Sequence, residues 1–153
     1  MSDSSIFLEV SGGRELVDWL GFVPTFHDAE ILNLYLDRSG ESVLRVHTWR
    51  TTNAVDARGY YVRDKHVLVT LTMDKITGLK LEGFSGQNVI DRLRLKRYAS
   101  GCEILGKTFP SSAAPSATDV GIELDAIFGL GGVIFTNALK ISFIPSEPDG
   151  SPS

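Results

Sequence analysis

Apolar and polar positions alternate along most of the chain after residue 30, and helical spacing shows only before it. Leu16, Val17 and Leu20 recur at three- and four-residue intervals, which predicts one short helix over residues 13–21. Gly21 is placed to end that helix, and Pro24, with no amide hydrogen, stops any continuation. A helix this short does not hold on its own, so Leu16 and Leu20 must pack on another element.

In the first alternating run, Leu32, Leu34 and Leu36 share one face, and Ile31, Asn33, Tyr35 and Asp37 share the other. A turn at Arg38 to Glu41 leads into Leu44, Val46 and Thr48, which alternate with Val43, Arg45, His47 and Trp49. The pair reads as a hairpin in which Asn33 roughly opposes Val46 and His27 opposes Thr52. Residues 51–64 read as a polar, glycine-containing connection, after which Val67, Val69, Leu71 and Met73 resume the period of two. Lys75 to Gly78 turns into residues 79–84, expected as the second arm of another hairpin. Residues 87–98 fit a helix face through Val89, Ile90, Leu93 and Arg97, or a strand through Leu93 and Leu95; strand is the reading adopted. Residues 103–105 are expected beside it, and residues 110–118 have the composition of an exposed loop.

Val120, Ile122, Leu124, Ala126 and Phe128 then alternate up to the glycine turn at residues 129–132, and Val133 to Phe143 carries the return. The expected fold is α+β and predominantly antiparallel β. It has six to eight strands in consecutive hairpins, forming a curled sheet or sandwich, with one short N-terminal helix. Residues 1–145 make a single β-rich domain, and residues 146–153, rich in proline and serine, a flexible C-terminal tail.

Composition narrows the function classes. At 153 residues the chain suits one domain, and 42% hydrophobic residues exclude a disordered chain. A lone cysteine, Cys102, makes no internal disulfide, which points to a reducing compartment. With neither a basic leader nor a long apolar run, the expected location is cytoplasmic, with no membrane partner. A net charge of −4 argues against nucleic acid as a partner, and Arg92, Arg94, Lys96 and Arg97 read as a solvated face.

Catalytic signatures are missing: the chain has no phosphate-binding loop, no G-x-S-x-G elbow and no H-E-x-x-H pair. Cys102 has no basic neighbour at fixed spacing and reads as an inert thiol. His27 and His47 fall well apart along the first hairpin, which disfavours a metal site built on both, and no cofactor is expected. Attention therefore falls on Trp19 to Ile31, WLGFVPTFHDAEI. On a strand His27 and Asp28 face opposite sides, while Asp28 and Glu30 share one. They suit bonds to loop backbone near Phe22 to Thr25 that fix how helix and strand meet, or else a paired-carboxylate acid/base role. Trp19 reads as core, whereas Trp49, Tyr60 and Tyr61 flank the long connection and suit recognition.

Trp19, Gly21, Pro24, Phe26, His27, Asp28, Ala29, Glu30 and Ile31 resemble the opening of the immunity protein 50 family of bacterial polymorphic toxin systems. Weaker likeness runs on through Leu81 to Phe84, Asn88 to Ile90 and the closing strand at Pro145. The resemblance implies a cytoplasmic, non-enzymatic protein that binds and neutralises a cognate toxin domain. It brings no catalytic residues, and residues shared among members with different partners are expected to hold the fold. Contacts then fall elsewhere: on Trp49, Tyr60 and Tyr61, and on Asp37, Glu41, Asp56 and Asp64, whose carboxylates would mimic phosphates toward a basic toxin. The alternatives are a small-molecule-binding β module and an enzyme using His27, Asp28 and Glu30.

Overall fold

Helical spacing in the first twenty residues closes into two helices, α1 (Asp3–Glu9) and α2 (Gly13–Leu20), and not the single one expected. α2 lies where the spacing placed it. Leu16 and Leu20 are fully buried, and Gly21 ends the helix at φ 91° with its N–H donating to the Val17 carbonyl. Ile6 and Phe7 of α1, with Val10 just beyond it, bury one turn-spaced stripe. The computed structural model describes residues 3–97, 103–104, 107–108 and 119–148. Cys102, residues 110–118 and most of the expected tail, residues 149–153, lie outside them.

Strands follow: β1 (Glu30–Tyr35), β2 (Ser42–Val55), β3 (Tyr61–Met73), β4 (Ile76–Glu82), β5 (Val89–Arg97), β6 (Glu103–Ile104), β7 (Lys107–Thr108), β8 (Val120–Phe128), β9 (Gly131–Thr136) and β10 (Leu139–Pro145). Eight of them form one antiparallel sheet in the order β10-β3-β2-β1-β5-β8-β9-β4, and β6 pairs with β7 rather than beside β5. Both halves of the sheet and both helices contribute to a single apolar cluster, from Leu44, Val46 and Leu71 on one side to Leu95, Ile122 and Ile134 on the other. Of residues 87–98, Val89–Arg97 form a strand, with Leu93 and Leu95 inward, and residue 98 lies outside the described residues. Arg94, Lys96 and Arg97 are neutralised by Glu123, Asp125 and Glu9.

Three further expectations are corrected. β4 does not pair back on β3 but crosses to the far edge and pairs with β9. Met73 opposes Leu139 and Ile76 opposes Thr136, three steps on each strand, so β3–β4 and β9–β10 form one ribbon bent at a corner. The first hairpin is out of the expected register: Ile31 opposes Val46, but beyond a bulge at Leu32 it is Asn33 that opposes Arg45. The bulge turns Ile31 and Leu34 inward and leaves Leu32 exposed, since one extra residue flips every side chain after it. Finally, residues 51–64 are not a loose connection. β2 and β3 run on to Val55 and from Tyr61, joined by a turn at residues 56–60.

Candidate functional site

The opening motif divides by polarity. Pro24, Phe26 and Ala29 are buried while His27, Asp28 and Glu30 are exposed. Phe26 stacks on Phe7 of α1 at 6.0 Å, and Trp19 packs on Phe143 of β10 at 5.7 Å. The exposed half fixes the loop to β5, not to residues 22–25. Thr25 accepts from the Leu93 N–H, Asp28 N–H donates to Ile90, and the Ile90 N–H donates to Ala29. His27 Nδ1–H donates to the Asp91 carbonyl at 3.0 Å, and Asp28 Oδ1 lies 3.6 Å from His27 Nε2. The bond to the Asp91 carbonyl, then the Asp28 carboxylate, raises the His27 pKa above its ordinary 6.5. To make these bonds the chain holds Phe26 and Asp28 at φ of 62° and 65°, the left-handed region that non-glycine residues seldom adopt.

That detour opens a groove. β1 last pairs with β2 at Glu30 opposite His47, yet β2 continues to Val55. Between the diverging loop and the extended β2 lies a cleft of about 430 Å³, walled by Phe22, Pro24, Asp28, Trp49 and Thr51. Asp28 and Thr51 also border a second cleft of about 690 Å³, over the β2–β3 tip at Arg58, Tyr60, Tyr61 and Arg63. The tip is held by local bonds. Arg50 grips Asp64 through two hydrogen bonds of 2.8 and 2.6 Å, and Asp56 Oδ1 accepts from the Arg58 and Tyr60 amides. Arg63 lies 4.5 Å over the Trp49 ring. Tyr60 and Tyr61 are 66% and 64% exposed.

Trp49, Asp56, Tyr60, Tyr61 and Asp64 thus gather at one end of the sheet, whereas Asp37 and Glu41 sit at the β1–β2 turn at the other. Asp56 and Asp64 are engaged by turn amides and Arg50; Asp37 accepts from the Ser39 N–H, and Glu41 faces Lys140 at 3.9 Å.

One cluster escaped sequence reasoning. His47, His66 and Trp49 meet with ring centroids 5.2–5.8 Å apart, and His47 Nε2 is hydrogen-bonded to His66 Nδ1 at 3.1 Å. A register shift between Thr48 and Arg50, opposite Lys65 at φ 50°, places His66 there. Burial lowers the His66 pKa, with the Arg63 charge adding to it. Among the described residues no three metal-ligating side chains converge, and no helix is long and apolar enough to cross a membrane. Comparison with protein-family models, curated proteins and solved structures gives no match.

Proposed function

We propose that this chain is an immunity protein, a stoichiometric binder that neutralises a cognate bacterial toxin domain by covering it. The observation that carries the reading is the β2–β3 tip, which projects past β1 and β10 and presents Tyr60, Tyr61, Arg58 and Arg63 beside Trp49. Tyrosine, tryptophan and arginine are the side chains that most often dominate binding energy at protein interfaces. The WLGFVPTFHDAEI resemblance supplies the partner class. Leu20, Pro24, Phe26, Ala29 and Ile31 of that stretch are buried, as suits residues that hold a fold while contacts lie elsewhere.

Co-expression with the product of the reading frame adjacent to this gene tests the reading. Growth should be restored and a complex recovered, and replacing Tyr60 and Tyr61 together by alanine should weaken it about tenfold or more. If the unaltered chain neither rescues growth nor co-purifies, the reading fails.

A further inference from the structure

Beyond Glu30, β2 has a backbone edge that the sheet does not use. β1 ends opposite His47, the chain before it turns off to β5, and residues 49–55 pair only with β3 among the described residues. On its other side β3 is likewise unaccompanied before His66, whose carbonyl accepts from the Ser146 N–H just past the end of β10. A two-stranded ribbon by itself is marginal in water, and an uncovered edge of this length is a template for another strand. The β2 edge faces a recess, the paired clefts that meet at Asp28 and Thr51.

We infer that this edge accepts an extended, acidic segment of the partner as an added strand, about seven residues long, between β2 and the His27–Asp28 loop. Main-chain hydrogen bonds would supply affinity, and alternate side chains would enter the two clefts. Charge selects the occupant. Arg63 has no carboxylate partner among the described residues, its guanidinium lying on Trp49. Arg58 lies 5.7 Å over the Tyr60 ring, and its one carboxylate partner among the described residues, Asp56 at 3.9 Å, already serves the turn amides. Asp28 faces the same groove, with the His27 ring beside it. Two exposed cations, one stacked on Trp49 with no carboxylate partner among the described residues and one only loosely paired, fit carboxylates on alternate residues of an incoming strand. The inference deepens the proposed function and depends on it only for the source of the segment.

The test is a phage-displayed library of random peptides selected on the immobilised full chain. The expected winners alternate β-branched or aromatic residues with Asp or Glu. A synthetic copy should slow deuterium exchange at Thr51 to Val55, and Arg58→Glu with Arg63→Glu should weaken it at least tenfold. Arg58→Gln with Arg63→Gln serves if charge reversal alters exchange in β3 without peptide. No enriched sequence, protection at another place, or indifference to both pairs of substitutions would overturn the inference. Failed growth rescue beside intact peptide binding would remove the toxin and leave the strand site standing.

Discussion

His27 lines the first cleft and His66 packs against Trp49 in its wall, and their surroundings push them in opposite directions. For His27 the folded state holds the proton more tightly, through the Asp91 carbonyl and then the Asp28 carboxylate. Its contribution to stability is therefore complete below pH 6.5 and lost as pH rises through the raised folded value. For His66 the folded state holds the proton less tightly because the ring is partly desolvated. Its contribution is complete above pH 6.5 and lost as pH falls toward the lowered folded value. An NMR titration of the imidazole Cε1–H signals should give midpoints on either side of 6.5, His27 above and His66 below. Asp28→Asn should lower the His27 midpoint without restoring the ordinary value, because the Asp91 carbonyl is the larger cause. Equal midpoints for the two rings would refute this account of both sites.

The elements meet most tightly where α1, α2 and β10 converge on Gly12 and Gly13. Gly12 has φ 84°, and a Cβ there would fall 1.7 Å from the Ile141 carbonyl oxygen. The Ile141 N–H bonds to Ser11, so backbone would have to move rather than a side chain. Gly12→Ala should cost about 3 kcal/mol or more, from overpacking and left-handed strain together. Leu16→Ala, at a fully buried position, should cost about 2–5 kcal/mol, both read by urea unfolding. These elements also show what a sequence discloses. α2 was legible because three apolar positions and a terminal glycine agree. The first helix carries only Ile6 and Phe7, with Val10 just past its end, which is too short a span to stand out. The β1 face was misread because nothing in the alternation around Leu32 marks a bulge, which β2 imposes from across the ladder. The β2–β3 extension was missed because a ribbon wet on both faces has no apolar period to display. Its consequence for the site is direct: Trp49, Tyr60 and Tyr61 were chosen for their chemistry, while the groove beside them follows from where β1 stops. His66 joined His47 and Trp49 through a register shift that likewise leaves no periodic trace.

At the scale of the whole molecule, the segment after Met73 could not be assigned from local pattern. A polar turn into an alternating strand looks the same whether the chain folds back or rounds a corner. The choice is made by β9 and β10, some sixty residues away, which accompany β3 and β4 through the bend. Asn137 secures the corner, its Oδ1 accepting from the Lys75 N–H at 3.0 Å and its Nδ2 donating to Asp74 at 3.1 Å. The Asp74 N–H donates to Ala138, and the Asn137 N–H to Lys75. Non-local pairing of this kind must close long loops before it gains contacts, so refolding should take milliseconds to seconds rather than microseconds. Stopped-flow fluorescence of Trp19 and Trp49 measures it. Stability should be distributed just as unevenly. Core amides in β3 from Val67 to Met73, flanked by β2 and β10, should exchange only on global unfolding. Those of the tip from Thr51 to Arg63, with one neighbouring strand each, should exchange by local opening at least a hundredfold faster. Asn137→Ala then separates the two regions, because it loosens the corner and should speed exchange in β3 and β4 by about the factor that one hydrogen bond of 0.5–1.5 kcal/mol represents. The tip, already opening independently, should be unchanged. Equal acceleration of tip and core would mean that the projecting hairpin unfolds only with the rest of the sheet.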